Sequence, residues 1–424
     1  MKPIIVMGAD HAGWRMKEFL KEKLQEEGYT VADKGTDSEV SADSHDYAVA
    51  VGEEVAAAQD KLGILICGTG IGMSMSANKV NGIRASLVSD LFSAQMTREH
   101  NAANILCLGA RVIANQMAEA LASVGRTIDG VANRTQEKAV TFAQKHHVKR
   151  VYDSIDDLLA SNEIDAVYLT TPHNTHIIYL RKALQAGKHV LCEKSITLNS
   201  AELLEAEELA RQNGVQLMDA CTILHMPLYK ELVGRVEAGE FGPVNLIQEN
   251  FGSYKEFDME NRFFNPKLAG GALLDIGVYS LTLARLFLKS QPHDVLSMMN
   301  PAPTGVDQTD GILLRNAEGQ MVVLALTLHS KQPKRAMISA DKAFIEIMEY
   351  PRADAATITW TDDGKQEKVH VGRTANALAY VLADLEAAVA GDASAQAQLE
   401  VSKDVMELMT GLRNDWNFLY PEEQ

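Results

Sequence analysis

A chain of 424 residues is too long for one ordinary domain; at roughly 100–200 residues per domain it holds two to four. Apolar residues make up 46% and charged residues 23%, the balance of a globular protein rather than a disordered or fibrous one. The formal net charge of −17 argues against nucleic acid or an anionic membrane as partner, and any phosphorylated substrate would need a locally positive pocket. No apolar run approaches the ~20 residues of a membrane span, and the opening segment has too short an apolar stretch for a secretory signal. Cys67, Cys107, Cys192 and Cys221 lie in or beside apolar strands without metal-ligand spacing. That usage fits free thiols in a reducing, cytoplasmic setting and no metal site.

In chain order, strands are predicted at 4–7, 29–32, 63–66, 83–88 and 105–108, with helices at 14–27, 47–58, 74–80, 91–99 and 112–124. The alternation resumes with strands at 128–132, 151–152, 166–169, 189–192 and 216–220 and helices at 136–146, 155–161, 176–186 and 200–213. Such βα alternation implies parallel sheets covered on both faces. Beyond about Cys221 strands follow one another at 244–254, 311–314, 321–328, 334–339, 343–348 and 356–361, around a helix near 273–288. That succession predicts a mostly antiparallel sheet. Helices return at 375–390 and 402–412.

Residues 67–73, Cys-Gly-Thr-Gly-Ile-Gly-Met, follow the 63–66 strand. Ligands of open α/β sheets bind at the carboxyl ends of strands. Glycines there let backbone N–H groups converge on an anion, and a cysteine beside such a nest gives up its proton more readily. A base next to an anion hole suits proton transfer on a carbon adjoining a carbonyl. Taken alone, a cysteine ending a buried strand is more often a small core residue, and Cys107 is read that way.

The motif does not stand alone. Gly8-Ala9-Asp10-His11-Ala12-Gly13, Asp46-Tyr47, Ala77-Asn78-Lys79, Gly82-Ile83-Arg84-Ala85, His100-Asn101 and Leu108-Gly109-Ala110-Arg111-Val112 occur in order around it. With them, residues 1–113 resemble the ribose-5-phosphate isomerase B and galactose-6-phosphate isomerase family. The resemblance implies aldose–ketose isomerisation of a sugar phosphate through a cis-enediolate. Cys67 would move the proton between C1 and C2, and Thr69 with the amides of Gly68, Gly70, Ile71 and Gly72 would hold the oxyanion. His100 would assist ring opening, Asp10, Tyr47 and Asn101 would bind hydroxyls, and His11 would lie near the phosphate. The family's site is shared between two subunits, which implies a homo-oligomer. The family's arginine-bearing carboxyl-terminal tail has no counterpart after Val112.

From about Asp129 the motifs change. They include Val131-Ala132-Asn133-Arg134-Thr135, Asp165-Ala166-Val167-Tyr168, Thr171-Pro172-His173-Asn174-Thr175-His176, Cys192-Glu193-Lys194 and Gly270-Gly271-Ala272-Leu273-Leu274-Asp275-Ile276-Gly277-Val278-Tyr279. This part resembles the Gfo/Idh/MocA oxidoreductases, in the branch where tyrosine replaces a histidine. Ser195 stands where the family usually has proline. The resemblance implies hydride transfer between a nicotinamide and a sugar or diol. Lys194 would lower the substrate hydroxyl's pKa, Tyr279 would exchange its proton, and Asp275 would orient substrate. Gly109, Arg134, Thr135, Thr171, Pro172, Asn174, His176, Glu193 and Lys194 would line the cofactor. Arg134-Thr135 would hold a 2′-phosphate, which favours NADP over NAD. The run Lys145–Arg150 is read as a solvated helix end, because adjacent histidines do not share a helix face.

A dinucleotide fold needs a first strand and a glycine turn. The second part has no copy of its own and begins at its second strand. The stretch 105–114 reads as strand, turn and helix, and Gly109 precedes Asn133 by 24 residues, near the ~20 expected. The isomerase's last strand is therefore a candidate for the oxidoreductase's first, with Arg111 obstructing the place of the second glycine. That strand would be terminal in one sheet and central in the other.

The expected fold is α/β: a Rossmann-like parallel sheet fused to a partial dinucleotide-binding Rossmann domain, then a carboxyl-terminal α+β domain with a mostly antiparallel sheet. The expected domains are 1–125, 126–220 and 221–424, with 104–124 a candidate to complete the second. The expected function is bifunctional sugar chemistry, isomerisation plus NADP-linked oxidoreduction. Two alternatives stand beside it: one active half with the other as scaffold, and a sugar-phosphate or nucleotide sensor.

Overall fold

The segments Ile4–Ala9 (β1), Lys61–Cys67 (β3) and Ile105–Gly109 (β5) are too apolar to face water, and they form the inner strands of a five-stranded parallel sheet. Its order is β2-β1-β3-β5-β4, with short edge strands Val31–Asp33 (β2) and Ala85–Leu87 (β4). Helices Trp14–Glu26 (α1), Ser44–Ala56 (α2), Ile71–Ala77 (α3), Leu91–Asn101 (α4) and Ile113–Ser123 (α5) alternate with these strands. The computed structural model describes residues 2–38, 42–58, 60–68, 70–88, 91–109, 113–259 and 261–424. Thr69 and Arg111, both expected at sites, fall outside these residues. The chain divides into two compact units, 1–119 with 140–142 and 120–139 with 143–424.

The sheet corrects one expectation. β5 is not terminal: it pairs with β3 from Gly63↔Ile105 to Cys67↔Gly109 and with β4 from Ala85↔Ile105 to Leu87↔Cys107. The 83–88 run is the edge strand instead, shortened to three residues because it has a partner on one side only.

In the second unit, Gly130–Val131 (β6) and Arg150–Val151 (β7) form a two-stranded parallel pair, with helix Gln136–His146 (α6) between them in the chain. Helix Ile155–Ala160 (α7) leads to a separate parallel sheet of order β10-β9-β8. Its strands are Ala166–Leu169 (β8), His189–Cys192 (β9) and Leu217–Asp219 (β10), with helices His176–Gln185 (α8) and Ser200–Asn213 (α9). Tyr152, Ile164, Val167 and Leu169 share one core, against which Ala132 packs. Among the described residues no strand bridges β6 and β8.

The short helices Thr222–His225 (α10) and Pro227–Glu237 (α11) precede the largest sheet. It has eight strands in the order β12-β13-β14-β11-β15-β16-β17-β18. Val244–Gly252 (β11) is central, antiparallel to Gln332–Ala340 (β15) and parallel to Met321–Thr327 (β14). The remaining pairs, which involve Asp294–Pro301 (β12), Asp307–Arg315 (β13), Ala343–Met348 (β16), Ala355–Trp360 (β17) and Gln366–His370 (β18), are antiparallel. β12 and β18, absent from the sequence expectation, are the two edges. β18 carries mostly polar residues, and that weakens its signal. Helix Val278–Phe287 (α12) is buried among them, and Ala377–Val389 (α13) and Ala393–Asp415 (α14) close the fold. The stretch Pro266–Phe287 is long and apolar enough to cross a membrane, but 78% of its apolar window is buried inside the protein, as befits a core helix.

One core position breaks the apolar pattern. Glu249 shares a face of β11 with Ile247 and Phe251, is buried, and has no hydrogen-bond partner for either carboxylate oxygen among the described residues. Burial pushes its carboxyl well above the usual range. The folded protein therefore keeps a proton that the unfolded chain releases above about pH 4.3. The stability contributed by the protonated group is whole below that pH and is lost, by about 1.4 kcal/mol per pH unit, as the pH rises towards the folded value. Glu249→Gln should remove this slope. Urea denaturation at pH 5 and pH 8 should show the variant gaining on the native protein at the higher pH; an equal difference at both would refute the assignment.

Candidate active sites

In the first unit three segments converge at the carboxyl ends of β1 and β3. Cys67 ends β3, buried, and its Sγ accepts the Gly70 N–H at 3.0 Å. Gly70 has φ +77°, the left-handed conformation that a glycine adopts without strain. The Asp10 N–H donates to the carbonyl of Ile66, the residue before Cys67. A Cβ on Gly13 would stand 2.3 Å from that same carbonyl, so only glycine permits the approach. Asp10 is buried, and its Oδ1 accepts the N–H groups of Ala12 and Gly13 at 2.9 and 3.1 Å. His11 Nδ1 accepts the Ala42 N–H at 3.2 Å. Tyr47 packs on the core beneath, and Gly72 faces Ser44 at the start of α2. Cys107, in the adjacent strand, is core: burial pushes its thiol up to about 12.

His100 and Asn101 are exposed and are not brought to Cys67. They end α4 just before β5 begins, level with Gly63, four residues down β3 from Cys67. Gly109, at the other end of β5, stands in register beside Cys67.

In the second unit Lys194 follows β9. Its Nζ donates to the Asp275 carbonyl at 2.5 Å and lies 3.2 Å from Asp275 Oδ1 and 4.8 Å from the Tyr279 ring centroid. Asp275 sits in a π-wound turn, Leu273–Gly277, that runs into α12, so Asp275 and Tyr279, four residues apart, both meet Lys194. The turn is anchored on three sides: Leu273 N–H donates to Asp307 Oδ2, Tyr420 Oη–H to the Gly270 carbonyl, and Ser195 Oγ–H to the Leu274 carbonyl. The Lys194–Ser195 peptide bond is cis.

Charge balance follows from contact. Burial works against the Lys194 ammonium, but Asp275 and Tyr279 outweigh it and hold Lys194 above the ordinary lysine range. Burial likewise opposes the Asp275 carboxylate, yet Lys194, Arg262, His173 and Lys255 hold it far below the usual range. Burial pushes the Tyr279 phenol up to about 12, Lys194 opposing, so it stays protonated at neutral pH. His173, buried beside Lys194, is driven down to about 3, chiefly by burial, and is neutral. Sequence reasoning assigned no role to His173, Arg262 or Lys255. His173 lay inside a quoted motif, but nothing local marks the loop residues as neighbours of Asp275.

The residues expected around a cofactor fall into two groups. Arg134 and Thr135 are exposed just beyond β6, Arg134 without an ion pair among the described residues and Thr135 opening α6. Thr171, Pro172, Asn174 and His176 follow β8. Thr171 Oγ1 and Asn174 Oδ1 are buried without a partner among the described residues. Asn174 Nδ2 donates to the Lys267 carbonyl at 2.9 Å, and the Pro172 carbonyl accepts the Thr175 hydroxyl at 2.7 Å. His176 is fully buried, with its ring nitrogens 2.8 Å from the Thr171 carbonyl and 3.0 Å from that of Ser195. It braces the two loops against each other. Glu193 is buried and accepts the Tyr168 hydroxyl; burial raises its carboxyl.

Comparison with known proteins bears on both units. The ribose/galactose isomerase pattern matches residues 5–138, and the GFO/IDH/MocA C-terminal domain pattern matches 229–346. The shikimate/quinate 5-dehydrogenase pattern matches 91–197. YwlF of Bacillus subtilis, named a sugar phosphate isomerase, is 44% identical over 32% of this chain and 91% of its own. A trans-1,2-dihydrobenzene-1,2-diol dehydrogenase of Xenopus laevis is 32% identical over 60% of this chain and 76% of its own. The chain belongs to both families. It is a fusion of a sugar-isomerase domain with a GFO/IDH/MocA oxidoreductase domain. A solved structure of KijD10, a 3-ketoreductase from Actinomadura kijaniata in complex with NADP and TDP-benzene, shares the fold at a TM-score of 0.63, with 20% identity over 79% of this chain and 98% of that one.

The oxidoreductase pair makes a direct prediction. Asp275→Asn leaves a buried ammonium uncompensated and should cost about 3 kcal/mol of stability in urea denaturation. The Lys194 pKa, followed by NMR of the ¹³C-dimethylated side chain, should fall below the ordinary lysine value.

Proposed function

We propose that the isomerase half interconverts an aldose and a ketose phosphate, of the ribose-5-phosphate kind, with Cys67 as the base. The Cys67 Sγ held by the Gly70 N–H is the observation that carries this reading. The thiolate takes the proton from C2 while the glycine amides receive the charge growing on the carbonyl oxygen, and the same thiol returns the proton to C1. The distance of His100 and Asn101 from Cys67 within one chain supports a site completed by a second copy. Mixing Cys67→Ser and His100→Ala proteins, each inactive, should restore about a quarter of native isomerase activity, because about half the dimers are mixed and each of these has one whole site. No recovery on mixing would rule out a shared site.

For the oxidoreductase half the supporting observation is Lys194 between Asp275 and Tyr279. A bound NADP would supply the hydride acceptor. Lys194 would stabilise the alkoxide forming on a sugar or diol carbon, Tyr279 would relay its proton, and Asp275 would keep Lys194 charged and in place. The residues present fit the adenosine and nicotinamide ends of the cofactor: Arg134 is free for a 2′-phosphate, and Thr171 Oγ1 is a buried orphan beyond β8. The middle is different. The usual doubly wound order sets the first strand between the second and fourth. That no strand bridges β6 and β8 among the described residues supports our inference that this unit lacks that strand. The double pairing of β5 favours a second reading, in which only the isomerase half turns over.

NADPH titration, followed by nicotinamide fluorescence, separates these readings, with Arg111→Gly alongside. Saturable micromolar binding by the native chain supports bifunctional chemistry, and Lys194→Ala should then abolish sugar oxidation. Binding only after Arg111→Gly, or none, supports the isomerase-only reading.

A further inference from the structure

The oxidoreductase site carries more positive charge than hydride transfer requires. One cation, Lys194, serves the alkoxide. Three more stand around it. Arg262 Nη2 reaches the same Asp275 oxygen as Lys194, at 3.3 Å. Lys255 and Arg262 both lie over the Phe263 ring, 4.6 and 4.3 Å from its centroid. Lys334 lies 5.3 Å from the centroid of Phe251, whose ring is 6.2 Å from that of Tyr279. Rings and cations thus form one connected lining.

The nearby acids do not balance it. Asp275 is shared by Lys194 and Arg262, and Glu349 pairs with Lys334 at 3.0 Å. Glu193 is turned to Tyr168, and its carboxyl is raised by burial. His173 is neutral. Glu256 and Asp258, on the same loop as Lys255, are exposed. Lys255 is half-buried, and its Nζ has no acceptor among the described residues. Burial pushes its ammonium down; Asp275 opposes that, while Arg262, Lys334 and Lys194 add to it. Like charges gathered in a partly dry site repel one another, and an incoming anion relieves that repulsion. In a chain of net charge −17 such a gathering is a local exception. Service to Asp275 alone does not account for it, since that carboxylate already has two cations in contact and Lys255 touches neither of its oxygens.

We propose that this site takes a hydroxylated substrate bearing an anionic group, phosphate or carboxylate, seated against Lys255 and Arg262. The proposal deepens the hydride-transfer reading and rests on it for turnover. The reacting carbon faces Lys194 and Tyr279, and the anion is left chemically unchanged.

The test uses the full-length protein with NADP⁺ and three matched sugars: glucose, glucose 6-phosphate and glucuronate. At least one anionic sugar should exceed glucose about tenfold or more in kcat/KM, a charge-assisted contact being worth about that. Lys255→Met should erase the preference, chiefly through KM. Which anionic sugar is preferred distinguishes phosphate from carboxylate. Equal kcat/KM for all three, or a preference that survives Lys255→Met, overturns the proposal. Calorimetric titration of glucose 6-phosphate and glucuronate into native and Lys255→Met protein keeps the question separate from turnover, because the isomerase site is common to both proteins. Binding that weakens in the variant supports the anion site even if no sugar is oxidised, an outcome that would sink the hydride-transfer reading alone. Identical binding in both proteins overturns the anion site.

Discussion

Each strand can satisfy its backbone donors and acceptors once on either side, and β5 does so with β3 on one edge and β4 on the other. A buried N–H or carbonyl left without a partner is costly. β5 cannot abandon either neighbour without exposing a row of them, and it cannot serve a second sheet while both edges are filled. The isomerase sheet is therefore complete in itself. The oxidoreductase unit, by contrast, splits its parallel strands into a pair and a triple. The chain there nevertheless carries its family's motifs in order.

The Lys194–Asp275–Tyr279 cluster of the second unit shows a different economy. Lys194 and Asp275 are each disfavoured as ions by burial, and each is ionised because the other is there. The arrangement depends on a short π-wound turn whose backbone is held by Asp307, Tyr420 and Ser195, groups distant in sequence. Tyr279 stays a neutral acid beside this pair because burial outweighs the lysine's pull. The cluster thus rests on the packing of α12 and on the large sheet behind it.

Much of the fold was legible in the sequence, for physical reasons. Apolar inner strands such as 4–9 and 61–67 have one plausible fate. The change from alternating helices and strands to successive strands near Cys221 marks the change from parallel to antiparallel pairing. The polar edge strand 366–370 was not legible, because edges are selected to look unlike core. Lys194, Asp275 and Tyr279 were visible as motif members with a role; His173 lay in a motif without one, and Lys255 and Arg262 lay in none. Their meaning lies in contacts across 80 residues or more of chain, or in a loop with no periodicity. The place of β5 was misjudged because sequence order suggested a last strand at the edge, whereas the chain inserts it between two earlier ones.

The register of that strand bears on the surroundings of Cys67. Cys67 and Gly109 are direct neighbours, one strand spacing or about 4.8 Å apart. The strand beside β3 is thus also a wall next to the cysteine, and a slip in its register would be felt at the Cys67 sulfur.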